Sequence, residues 1–128
     1  VGDDSFGADA EKYFSTTKTG SYTLIKDISV KTGSALVMVE SLTGNNSIII
    51  DQGANATITK AEILSDINNI KSAKVFLTQL ENNIDITRFT IDIAKMCGCY
   101  VILNPAPYSE NIMSHLSSRN RSGAYFRY

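Results

Sequence analysis

Lys74-Val75-Phe76-Leu77-Thr78-Gln79-Leu80-Glu81 and Cys99-Tyr100-Val101-Ile102-Leu103-Asn104-Pro105-Ala106-Pro107 are two apolar runs, and each stops abruptly at a polar residue. Between them Ile86, Phe89, Ile93 and Ala94 recur at helical spacing. Asn82 or Asn83 stands where an N-cap belongs, and Gly98 stands where a helix would end. The stretch reads as strand–helix–strand, a crossover of about 30 residues that joins two parallel strands in the right-handed sense. Ligands of an open parallel sheet bind just outside the carboxyl ends of its strands. Glu81 and Asn104 are therefore expected side by side at a ligand crevice.

Working toward the N-terminus, Thr59-x-x-Glu62 fits a capping box that opens a helix whose apolar stripe is Ile63, Leu64, Ile67 and Ile70. Before it come two β-rich runs, Thr32 through Val39 and Ser47 through Ile50, separated by the turn-forming Thr43-Gly44-Asn45-Asn46. They read as an antiparallel hairpin. Ala35, Val37 and Val39 alternate with Leu36 and Met38, so both of its faces are apolar. Such a hairpin is expected to cover a ligand or to meet another subunit. Phe6, Ala10, Tyr13 and Phe14 give a helix from 5 to about 17, and residues 22–25 suggest a short strand. A short helix around 111–116 is also expected, and the last residues follow neither period.

Length and charge narrow the function. At 128 residues, 43% of them apolar, the chain suits one globular domain. Twelve Lys and Arg against thirteen Asp and Glu give a net charge of -1, which argues against nucleic acid as the main partner. Arg119, Arg121 and Arg127 are too few to change that. No apolar stretch approaches the roughly 20 residues that span a bilayer, so no membrane role is expected. The opening Val1-Gly2-Asp3-Asp4 reads as the interior of a longer protein. Cys97 and Cys99 are too few for a disulfide framework and, with His115 alone as a further soft ligand, make a poor metal site. They are expected to be reduced, largely buried thiols of a cytoplasmic protein.

Several segments, in order, resemble one family. Val1-Gly2-Asp3-Asp4-Ser5-Phe6-Gly7 is similar to the V-G-x-D-x-F-G segment of ribokinase-like (PfkB-type) carbohydrate kinases. Thr32-Gly33-Ser34-Ala35-Leu36, and then Asn46 through Ile48 and Ile50 to Gly53-Ala54-Asn55-Ala56, resemble that family's lid hairpin and its return. Gln79-Leu80-Glu81 and Asn104-Pro105-Ala106-Pro107 resemble its substrate-side strand ends. The resemblance implies an α/β fold: a partly parallel Rossmann-type sheet flanked by helices, with a small β-hairpin lid at about 21–52. It covers 1–116 as an incomplete domain, followed by a divergent tail at 117–128.

The implied activity is transfer of the γ-phosphoryl group of ATP to the 5-hydroxyl of D-ribose, with Mg²⁺ and a monovalent cation (K⁺) as family cofactors. By the same resemblance Glu81 hydrogen-bonds a sugar hydroxyl, Ala35, Val37 and Ile50 give apolar cover over the sugar, and Asn104 lies near the crevice. The family's lid also pairs with its mate, which implies a homodimer. A carboxylate accepts short, charge-assisted bonds from sugar hydroxyls, and apolar cover excludes the water that would hydrolyse ATP. Phosphoryl transfer itself depends on positioning and electrostatics.

The family's G-G-x-x-x-N segment, its N-x-x-E motif and its D-T-x-x-A-G-D segment with the catalytic base are not among these 128 residues. No catalytic residue is assigned, and the chain by itself is expected to be inactive. Other readings stay open. Glu81 also reads as a solvated carboxylate at the positive end of the next helix, and Asn104 as a turn residue before Pro105. The lid face also reads as ordinary core. The protein also reads as another sugar or nucleoside kinase of the superfamily, or as a non-catalytic interaction fragment that docks through the hairpin.

Overall fold

Asp4 begins the first helix, α1 (Ser5–Thr16), by accepting a hydrogen bond from the Gly7 amide at 2.9 Å. The helix ends where Thr17 turns extended. In this computed structural model residues 1–17, 20–108, 110 and 114 are described, together with the backbone of 125 and 126. They divide into two units, Val1–Thr57 and Ile58–Tyr128.

In the first unit β1 (Ser34–Val39) pairs antiparallel with β2 (Asn46–Asp51). Residues 40–45 turn the chain, with the Glu40 amide bonded to the Asn45 carbonyl, the Gly44 amide bonded to the Glu40 carbonyl, and Gly44 at φ +75°. The expected hairpin is present. A 3-10 turn at Gly53–Ala56 follows it. Residues 22–25 are not a strand. Tyr22 turns its ring to Phe14, 5.6 Å between centroids, the Val1 ammonium donates to the Ile25 carbonyl, and one parallel bridge joins Gly2 to Asp27. Two residues of partner chain are too few to build a ladder.

In the second unit Thr59 and Glu62 form the expected capping box and open α2 (Lys60–Ser65). The single helix expected from Ile63 through Ile70 is instead two, because Asp66 leaves helical geometry at ψ 14° before α3 (Ile67–Ser72). Short polar side chains offer the backbone local alternatives to the helix, and Asn69 Nδ2 here bonds Asp66 Oδ1 at 2.7 Å. Strand β3 (Val75–Thr78), helix α4 (Ile84–Met96) and strand β4 (Tyr100–Leu103) follow, and β3 and β4 are parallel as expected. Gly98, at φ +83°, closes α4 by donating to the Lys95 carbonyl. The backbone of β5 (Tyr125–Phe126) adds a third parallel strand beside β4. Two residues are too short to carry a periodic signal. The expected helix at 111–116, His115, the tail arginines and the remainder of 117–128 lie outside the described residues.

The core of this unit is Leu80, Ile91, Ala94, Cys99, Val101 and Leu103. Helix α4 buries Ile86, Thr87, Thr90, Ile91 and Ala94, whereas Phe89 and Ile93 are only half buried. The buried hydroxyls cost little because Thr90 Oγ1 donates to the Ile86 carbonyl and Thr87 Oγ1 to the Asn83 carbonyl, one turn back. Both cysteines are free, and the buried Cys99 thiol donates to the Ile70 and Ala73 carbonyls. Among the described residues no helix is long and apolar enough to cross a membrane.

Hydrogen bonds from the Thr32 hydroxyl and amide and from the Gly7 amide hold the Asp4 carboxyl down to about 2, against an ordinary 3.8. A carboxyl depressed in this way stabilises the fold fully above its unfolded value, and the contribution is lost as pH falls from 3.8 toward 2. Asp27 is also lowered, chiefly by the Ser29 hydroxyl, and acts in the same direction. Amide resonances of residues 32–34 are therefore expected to shift and broaden across that acid window and to be unchanged near neutrality. A nuclear magnetic resonance pH titration reads this directly.

Candidate functional site

The parallel register brings Thr78 opposite Leu103, so Gln79 and Asn104 are the first residues beyond the two strand ends. The backbone fixes both. The Asn104 amide donates to the Thr78 carbonyl at 2.9 Å, and the Leu80 amide donates to the Ala106 carbonyl at 2.9 Å. Leu80 is buried and holds the connection down, while Asn83 caps α4 by accepting from the Asp85 amide.

A hollow of about 470 Å³ opens at this point, lined by Leu77, Thr78, Gln79, Asn82 and Asn104. Its polar groups are a hydroxyl and three amides, which donate and accept without carrying charge. That set matches a neutral, hydroxyl-rich ligand better than an anion. Asn104 is thus part of the hollow. Glu81 is exposed and is not among the lining residues, and its amide bonds Gln79 Oε1 at 3.0 Å. In register the neighbour of Asn104 is Gln79 rather than Glu81, because the chain turns away from the strand line after Thr78. Gln79 enters as a lining residue instead of a spacer, and Asn82 as more than a helix cap. Both were visible only as the polar margin of an apolar run.

The other expected site residues lie on the hairpin of the first unit. Ala35 pairs with Ile50 and Val37 with Ile48, so all four side chains share one face. Leu36, Ile49 and Met38 share the other. Both faces are exposed, Leu36 at 59% and Ile50 at 59%. The root of the hairpin is closed by two glycines. A Cβ on Gly33 would lie 2.5 Å from the Gln52 carbonyl oxygen and 2.7 Å from Asn55 Nδ2, and one on Gly53 would strike the Lys31 carbonyl oxygen. The Thr-Gly and Gly-Ala-Asn segments are therefore the two legs of the hairpin where they cross at van der Waals distance.

Among the described residues no group of three or more His, Cys, Asp or Glu side chains is arranged to hold a metal ion.

The family model for pfkB family carbohydrate kinases matches residues 1–119. The chain is 34% identical over 109 residues to a ribokinase of Schizosaccharomyces pombe, covering 84% of this chain and 33% of that protein. The solved structure of Sa239 superposes on 91% of this chain and 39% of its own, with a TM-score of 0.78 and 30% identity. The ribokinase of Arabidopsis thaliana complexed with ribose and ATP superposes on 83% of this chain and 35% of its own, with a TM-score of 0.67 and 26% identity. The chain spans about a third of the length of the curated relatives it matches.

Proposed function

The chain belongs to the pfkB family of carbohydrate kinases, and from that premise we propose that it supplies the lid and part of the sugar site of a ribokinase-type enzyme. In this reading the whole protein uses ATP to phosphorylate D-ribose at its 5-hydroxyl. The observation that carries it is the amide-lined hollow beyond β3 and β4, and Glu81, exposed two residues after the lining Gln79, is assigned to the sugar by the family resemblance. Amides read neutral hydroxyls, and a carboxylate binds one of them more tightly than a neutral acceptor does. Similarity to an Arabidopsis ribokinase that holds both ribose and ATP supports the choice of substrate pair. Mg²⁺ and K⁺ belong to the same proposal for the whole protein.

Glu81 acts as a sugar ligand, not as a base, and the chain alone binds ribose without turning over ATP. Ligand-observed magnetic resonance with D-ribose, run beside a coupled assay for ADP, tests both halves. Saturation transfer to ribose with ADP at background is the expected result. Ribose-dependent ADP formation would refute the inactivity of the chain. Preferential transfer to another sugar or a nucleoside would move the assignment to a sister kinase of the family.

The two exposed apolar faces of the hairpin favour a second role, self-association through Leu36, Met38 and Ile49. Sedimentation of the Leu36→Lys variant is expected to give a monomer where the parent chain associates. Unchanged association would remove this reading.

A further inference from the structure

Each leg of the hairpin is tied to the N-terminal segment by an aspartate and a threonine about thirty residues apart in sequence. On the incoming leg, Asp4 Oδ1 accepts from Thr32 Oγ1 at 2.7 Å and Asp4 Oδ2 from the Thr32 amide at 2.8 Å. Thr32 Oγ1 in turn accepts from the Gly2 amide at 2.9 Å. On the outgoing leg, Asp27 Oδ2 accepts from Thr57 Oγ1 at 2.9 Å. The other oxygen of Asp27 takes the Ser29 hydroxyl and amide. The two anchor points are themselves joined, since Gly2 and Asp27 form the single parallel bridge and the Asp27 amide donates to the Val1 carbonyl.

Between these clamps lie the Gly33–Gly53 crossing, the Ala54 amide, which bonds the Lys31 carbonyl at 2.8 Å, and the short-range bonds of the 3-10 turn, among them Thr57 Oγ1 to the Ala54 carbonyl at 3.2 Å. Past that point neither strand of the hairpin has a buried residue to steer it. The direction of the hairpin is therefore decided at its root. Carboxylate acceptors are suited to this, because their bonds are short and directional and tolerate little rotation.

We propose that Asp4 and Asp27 are positioning residues for the hairpin, each holding one leg through its threonine partner and together setting the angle at which Ala35, Val37 and Ile50 leave the first unit. The consequence for catalysis rests on the lid reading above, but the mechanical part stands without it. Asp4 has a second duty as the cap of α1, so the informative substitutions are on the threonines. Thr32→Val keeps the shape and removes the hydroxyl that bridges Asp4 and Gly2, while Thr32→Ser keeps the hydroxyl. Thr57→Val and Thr57→Ser form the same pair on the other leg.

Hydrogen exchange of the 128-residue chain, followed amide by amide, separates positioning from general stability. In Thr32→Val the ladder amides of β1 and β2 are expected to exchange about tenfold faster, with those of α1 within about twofold of the parent. Thr32→Ser is expected to restore the parent rates, and Thr57→Val to act on the same ladder. Equal acceleration of α1 and the hairpin would overturn the proposal, because the threonine would then only stabilise the unit. An unchanged hairpin in both valine variants would overturn it as well. A parallel run with D-ribose keeps the two readings distinct. Loss of any sugar effect on the ladder, with the valine response intact, sinks the lid role and leaves the clamps standing.

Discussion

Gly53→Ala is expected to destabilise the first unit by about 3 kcal/mol, the sum of a left-handed backbone imposed on a side chain and an overpacked contact. Gly53 sits at φ +47°, and an added Cβ would strike the Lys31 carbonyl oxygen and come within 2.7 Å of the Gly33 nitrogen. Both neighbours are backbone and cannot swing aside. Gly98 provides the control. Its φ is +83°, but nothing lies within 4 Å of a Cβ there, so Gly98→Ala is expected to cost only the conformational share, about 1 kcal/mol. Thermal denaturation followed by circular dichroism compares the two. Equal shifts in Tm would mean that the hairpin root is looser than the structure has it.

Glu81→Ala is expected to weaken D-ribose binding about thirtyfold, and Asn104→Ala about fivefold, in keeping with a charged against a neutral hydrogen bond. The competing account of Glu81, a carboxylate near the positive end of α4, makes a different prediction. Removing it would then cost the helix about 0.5 kcal/mol and leave sugar binding untouched. Calorimetric titration with ribose, paired with a thermal melt of the same variant, distinguishes the two. Because Glu81 is exposed and α4 is already capped by Asn83, a stability loss much above that figure would contradict both accounts.

Much of this was readable in advance where the signal is local. The capping box at Thr59, an asparagine cap at 82 or 83 and the glycine at the end of α4 follow from residues within one or two turns of each other, and the parallel pair β3–β4 follows from the strand–helix–strand order. The face of α4 was only partly readable. Thr87 and Thr90 look polar in sequence, yet they return their hydroxyls to the helix's own carbonyls and so bury as small apolar groups. Phe89, which looks like core, is instead half buried beneath the Lys60 ammonium, 5.3 Å from its ring centre.

The sequence by itself determined the strand–helix–strand of the second unit, the polar stops at the two strand ends, the hairpin with two apolar faces and the family those segments resemble. Each depends on periodicity, capping or turn chemistry, which act between near neighbours and leave their mark in the order of residues. Only the tertiary structure decided that Gln79 and Asn82 join Asn104 around the hollow while Glu81 is not among its lining residues. It alone brought Asp4 to Thr32 and Asp27 to Thr57. These contacts are made between segments whose separation along the chain carries no periodic signal, and they exist because carboxylates and amides must find partners once the backbone has brought them together.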